Sequence, residues 1–273
     1  MISYSLATLL SIIEHGFLPM YCTEEIDDLF GEEYELYKTG RAIDIGTNTF
    51  PLISFCDIPL TRVEAHVDKY GGYSLGMNQT WGLKNGLTPI VYYDSRMPLF
   101  KKVQDLYKTN NNIKSRELDK QTIQSSTIMA TKQSVEYLKY HKCFYKPMIK
   151  EKKQKEVDYN KKSDTKYNYY HQENEWRYVP NIECFKNQTT EKFFAFSDEV
   201  KALNQTMLNH IENYNTLKFS YDDIEYIIVP HKQDIPPLIK RLKSLKKSKR
   251  YNQENIELLM TKIISQHHIN MDF

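Results

Sequence analysis

Leu6, Leu9, Leu10 and Ile13 recur at the three-and-four spacing of one helical face, which predicts a helix that starts after Ser5 and stops at Gly16. Ser5 offers an N-cap oxygen, and Gly16 suits the left-handed residue that closes a helix. Residues 1–4 read as a short strand feeding that helix. Leu52-Ile-Ser-Phe-Cys-Asp-Ile-Pro59 is an apolar strand closed by a proline, and Thr61–Tyr70 reads as helix. Gly71–Gly76 reads as a glycine-punctuated strand, Trp81–Gly86 as a turn, and Pro89–Tyr93 as a third strand. Strand character returns at Glu175–Val179 and Ile224–Val229, each ended by a proline. Leu238–Lys247 predicts one C-terminal helix, and Ile256, Leu259, Met260, Ile263 and Ile264 form the apolar stripe of another.

Between these halves, residues 94–168 change character. They are rich in Lys, Asn and Gln, with helices predicted over 97–108 and 117–140 and a lysine-rich, solvated loop over Lys150–Lys166. The pattern predicts an α+β chain with a mixed core sheet. Its core halves are 1–93 and 169–235, separated by the helical, basic insertion 94–168 and followed by the C-terminal helices of 236–273.

Composition narrows the function classes. A length of 273 residues supports a substantial core, and a net charge of +2 does not make the whole molecule a polyanion binder. The cations are uneven, however: residues 240–250 hold seven with no acid. Lys240, Arg241, Lys243, Lys246 and Lys247 therefore offer a surface for nucleic acid or an acidic protein partner, or simply the solvated side of a helix whose apolar face is Leu238, Leu242 and Leu245. The four cysteines include no close pair, which argues for free thiols and no structural metal. No run is long and apolar enough to cross a membrane and no secretory leader is apparent, so a cytoplasmic location is expected. P-loop, dinucleotide-glycine, nucleophile-elbow and His-Glu-x-x-His motifs are all missing.

The segment His171-Gln-Glu-Asn-Glu-Trp-Arg-Tyr-Val-Pro180 carries the chemistry. A carboxylate at the mouth of a strand is fixed by rigid backbone yet faces a cleft, which suits a site where positive charge develops. The same residues also make a surface ladder of Glu173, Glu175 and Arg177 on an edge strand. His66 reads as a hydrogen-bonding or buried histidine rather than a metal ligand, and Asp57 as a site residue or a helix cap.

Five stretches occur in order: Leu10–Cys22, Ser54–Leu60, His66–Gly76, Trp81–Tyr92 and Glu173–Pro180. Together they resemble the AbiGi family of abortive-infection, phage-defence proteins. That family is labelled an antitoxin, so the resemblance implies a toxin partner protein and a binding role.

A looser resemblance of layout is to ADP-ribosyltransferases, which implies a core of that type and NAD as substrate. It would make Glu175 the catalytic carboxylate on the nicotinamide ribose and Glu173 the residue orienting the acceptor. Tyr70 and Tyr73 would sandwich the nicotinamide, Ser54 would lie on the strand holding the glutamate, and Arg177 would face NAD. Such enzymes carry His or Arg on the first strand. Met1-Ile-Ser-Tyr-Ser5 has neither, leaving Ser3, Tyr4 or His15 as the substitute donor. An enzyme acting on a protein, RNA or DNA and a non-catalytic antitoxin both remain open at this point.

Overall fold

The computed structural model describes residues 2–3, 5–24, 26, 48–94, 96–106, 137, 140–151, 167–182, 185, 193–195, 198–245 and 251–272. Strand β1 (Ile2–Ser3) leads into helix α1 (Leu6–His15), which buries Leu9 and Ile13. Ser5 caps it as predicted, its Oγ accepting from the Thr8 N–H at 3.1 Å. Gly16 closes it at φ +89, where a β-carbon would lie 2.8 Å from the Leu217 carbonyl, so only glycine fits. That closeness exists because Phe17 and Leu217 exchange backbone hydrogen bonds and tie the helix end to the C-terminal part of the chain.

Next come β2 (Met20–Thr23), β3 (Thr49–Cys56), α2 (Glu64–Tyr70), β4 (Tyr73–Met77), α3 (Gln79–Lys84), β5 (Thr88–Pro89) and β6 (Val91–Tyr93). After the gap in description come β7 (Tyr145–Pro147), β8 (Ile149–Glu151), β9 (Tyr167–Tyr169) and β10 (Glu175–Tyr178). The chain finishes with α4 (Val200–Asn209), β11 (Ile224–Val229), α5 (Ile235–Ser244), α6 (Gln253–Thr261), β12 (Ile263–Ser265) and α7 (Gln266–Asp272).

The α+β class is observed, but the core holds two four-stranded sheets where one was expected. Their orders are β1-β4-β11-β12 and β2-β3-β10-β5. The first is mixed, with β11 and β12 parallel; the second is antiparallel throughout. Each sheet joins segments far apart in sequence, so β10 lies against β3 across the whole 94–168 segment. The main core packs Leu9, Ile13, Ile53, Phe55, Ile227, Leu238 and Leu259 together. A knot of Phe17, Phe55, Trp81 and Phe219 rings, at centroid distances of 5.0 to 6.3 Å, fills its centre.

Four local expectations need correction. Trp81–Gly86 is a turn only at Asn85 and Gly86: Trp81–Lys84 lie inside α3, which starts at the Asn78 cap (Trp81 N–H to Asn78 Oδ1, 2.7 Å). The two glycines hid a helix that runs through Gly82 and is followed by Gly86 at φ +76. Ile263 and Ile264 do not continue the helical stripe but form β12, in register with Ile227 and Ile228 of β11. Helix α5 starts three residues earlier than expected because its two prolines sit in the first turn, where no N–H partner is lost. Lys150 belongs to β8, which pairs with β9. Residues 152–166 of the expected loop, and nearly all of the predicted helix 117–140, lie outside the described residues.

Candidate functional site

The site is built where β10 begins. Glu173 ends a short 3₁₀ turn, Asn174 takes a left-handed conformation (φ 42), and Glu175 opens the strand. Asn tolerates that backbone, and here its backbone and side chain are also tied to Asp57, the residue after β3 (Asp57 N–H to Asn174 O, 3.1 Å; Asn174 Nδ2 to Asp57 O, 3.2 Å). Register then sets the chemistry. Glu175 stands opposite Cys56 and Arg177 opposite Ser54, so these four side chains share one face of the sheet. Trp176 and Tyr178 turn to the other face and pack on the main core.

Glu175 is 3% exposed and fully engaged. Its Oε1 accepts from Ser54 Oγ and from Arg177 Nε, each at 2.6 Å, and its Oε2 accepts from Lys146 Nζ at 2.7 Å. Its own N–H donates to the Tyr92 hydroxyl at 2.9 Å. Lys146, on β7, also reaches Glu173 Oε2 at 3.1 Å. Glu173 Oε1 takes Lys69 Nζ at 2.6 Å and the Tyr70 hydroxyl at 2.8 Å. Behind Glu175, the Arg177 fork gives Nη1 to the Cys143 carbonyl (2.7 Å) and Nη2 to Glu24 (2.6 Å). Three carboxylates thus face three cations.

Burial alone would push the Glu175 carboxyl up; Arg177 and Lys146 outweigh it and hold the group at about 2. Glu173 is likewise lowered, burial being overcome by Lys146 with help from Lys69 and Tyr70. Both are ionised at neutral pH. His66 Nε2 lies 2.8 Å from Cys56 Sγ beside them. Burial pushes the Cys56 thiol up to about 12 and His66 down, so the pair is neutral.

These groups line a cavity of about 390 Å³, bounded by Ser54, Cys56, His66, Tyr70, Lys146 and both glutamates on one side and by Ser74, Leu75 and Ile228 of the other sheet. Its size falls in the range of small-molecule pockets. An adjoining cavity of about 260 Å³ shares the Cys56, Leu75 and Gly76 wall and takes in Asp57, Trp176 and Tyr226.

The structure therefore brings together Glu173, Glu175, Ser54 and Tyr70. It separates Tyr73, which sits one strand away with its hydroxyl on Asp234; the left-handed Gly71 (φ +99) between α2 and β4 sends the two tyrosines to different places. Arg177 is wholly buried and its donors are used by the protein, so it braces Glu175 from behind. His15 points to the Ser11 carbonyl. Lys240, Arg241 and Lys243 are exposed on α5, whose Leu238 and Leu242 are buried; Tyr4, Lys246 and Lys247 lie outside the described residues. Sequence reasoning missed Lys146, Lys69, Tyr92 and Glu24. Lys69 and Tyr92 sat within the stretches that carry the family resemblance, whereas Lys146 and Glu24 did not.

No solved structure matches this chain. The "Abortive phage resistance protein AbiGi" of Lactococcus lactis subsp. cremoris is 27% identical over 274 residues, covering 94% of this chain and 100% of that protein. The family model described as "Putative abortive phage resistance protein AbiGi, antitoxin" matches residues 15–230, a stretch that holds every residue of the carboxylate network. With four-fifths of its length inside that match, the chain belongs to the AbiGi family of abortive phage resistance proteins.

Proposed function

We propose that this chain acts in abortive phage resistance as an NAD-dependent ADP-ribosyltransferase-like effector on a core of that fold, with the cavity at Glu175 as its site. The observation that carries the reading is the Ser54–Glu175 contact. A hydroxyl on the neighbouring strand fixes the orientation of an ionised carboxylate at a cavity wall. A negative charge held there before reaction favours positive charge on a ribose C1′. The C1′–N bond breaks with its electron pair leaving on nicotinamide. The acceptor oxygen or nitrogen then bonds to C1′ and releases its proton to solvent. Tyr70 offers an aromatic wall and Lys146 a cation for a phosphate.

A second reading, that of an antitoxin binding a partner toxin, is favoured by the family description and by the charge balance of the network. Arg177, Lys146 and Lys69 neutralise the carboxylates as a purely structural ion cluster would.

Incubating the protein with NAD labelled in its adenylate phosphate, together with pools of cell protein, RNA and DNA, separates the two. The enzyme reading expects labelled ADP-ribose, free or joined to one of the pools, with turnover falling about 10²-fold or more in Glu175→Gln. Because Glu175 also pairs with buried Arg177, that variant is compared with Ser54→Ala, which keeps every charge. Turnover unaffected by either change would remove the Glu175 cavity as its site, and no turnover together with stable capture of a co-expressed toxin would remove the enzyme reading.

A further inference from the structure

Ser74 lies in the middle strand run of the mixed sheet, its backbone opposite Ile2 of β1 and Ile228 of β11. The residue is 5% exposed, and its Oγ has no hydrogen-bond partner. A buried hydroxyl left unpaired is costly, and native proteins rarely keep one without a use. Gln266 Oε1 shares this state among the described residues, but Gln266 does not line the cavity. Ser74 does, on the sheet across from Glu173, Glu175 and Lys146, with Leu75 and Ile228 beside it. The wall around it is otherwise apolar, and no partner for the hydroxyl stands among the described residues.

We infer that Ser74 is a ligand-binding residue of this cavity, its Oγ hydrogen-bonding the substrate that lies against Glu175. Under the NAD reading above, on which this rests, the partner is a polar group of the ribose–nicotinamide half. A serine hydroxyl can donate to a carbonyl oxygen or accept from an N–H or O–H, and that half presents both kinds of group. The two walls then divide the work. Glu175 meets the developing charge, and Ser74 fixes how the substrate is turned. A serine here pays for itself only when the cavity is filled.

The test combines affinity with stability, because a structural serine and a binding serine move them in opposite ways. Calorimetric titration with NAD of the wild type and of Ser74→Ala is expected to show affinity falling about tenfold, the value of one hydrogen bond. The melting temperature without NAD is expected to be unchanged or raised, since no protein hydrogen bond is lost. Nicotinamide and ADP-ribose titrated separately show which half of NAD makes the contact. Equal NAD affinity in both proteins overturns the role of Ser74 and leaves the NAD reading standing. A wild type that does not bind NAD overturns the NAD reading, and this assignment with it. If the alanine variant melts lower as well as binding worse, Ser74→Cys decides. Restored stability with affinity still weakened supports the binding role, and recovery of both together overturns it.

Discussion

Arg177 and Lys69 bring the same charge to opposite ends of one carboxylate network, Arg177 to Glu175 and Glu24 and Lys69 to Glu173, yet the Arg177 side chain is 0% exposed and that of Lys69 is 42% exposed; Lys146 lies between them at 13%. The gradient runs along one network, so the charge and the kind of partner stay the same while solvation changes. At the dry end the guanidinium spans Glu175, Glu24 and the Cys143 carbonyl, three acceptors that only a planar fork can serve together. At the wet end a single ammonium on a flexible stem reaches one carboxylate oxygen and the faces of Tyr70 and Tyr170. Burial, more than charge, decides which ion pairs hold the fold and which are available to a ligand.

The largest effect is expected at the dry end. Arg177→Met strands the buried carboxylate of Glu175 and the nearly buried one of Glu24, and should cost about 3–5 kcal/mol in urea unfolding. Arg177→Lys should recover only part of that, since one ammonium cannot reach all three acceptors. A loss under about 1 kcal/mol would erase the distinction between the two ends.

Acid should act on both ends at once. The Glu175 carboxyl is at about 2 in the folded chain against 4.5 ordinarily, and Glu173 is lowered too. A depressed folded value means that the stabilisation is complete above about pH 4.5 and drains away as pH falls toward 2. Glu175 contributes a slope of up to about 1.4 kcal/mol per pH unit inside that window, and Glu173 adds to the same acid limb. Glu173→Gln should make the acid limb shallower by one group. An unchanged limb would show that Glu173 does not belong to the folded-state network.

Lys146→Met is expected to cost less than Arg177→Met, about 1–3 kcal/mol. Glu175 keeps Arg177 and Ser54, and Glu173 keeps Lys69 and Tyr70. Without Lys146, burial weighs more heavily on Glu173, so the acid limb of the variant should move to higher pH. A limb that stays in place would assign the depression of Glu173 to Lys69 and Tyr70 instead.

How much of this the sequence contained varies with the range of the cause. The cap of α1 at Ser5 and its stop at Gly16 are written in adjacent residues and were legible. The pairing of Ser54 with Glu175 spans 121 residues and was legible only through family resemblance. Lys146 lies in Lys-Cys-Phe-Tyr-Lys-Pro, where nothing local distinguishes it from Lys142; the docking of β7 beside β6 turns Lys146 to the glutamates, whereas Lys142 is buried against the Phe194 ring. Ile263 and Ile264 continue the helical spacing of α6, so periodicity alone could not tell that β11 would recruit them as a strand. The unpartnered state of Ser74 was out of reach by nature, because a missing partner is a property of the assembled cavity.

The smallest effect tests the wet end directly. Lys69→Ala removes an ammonium 2.6 Å from Glu173 Oε1, a distance that by itself suggests a strong bond. Solvent competes for a side chain 42% exposed, however, and holding its flexible stem in place costs entropy. The loss should be within about 1 kcal/mol and should shrink in high salt, whereas that of Arg177→Met should change little. If Lys69→Ala instead costs as much as Lys146→Met, with no salt dependence, exposure does not rank these three cations. Glu173 would then have to be treated as a second buried anchor rather than as the open edge of the site.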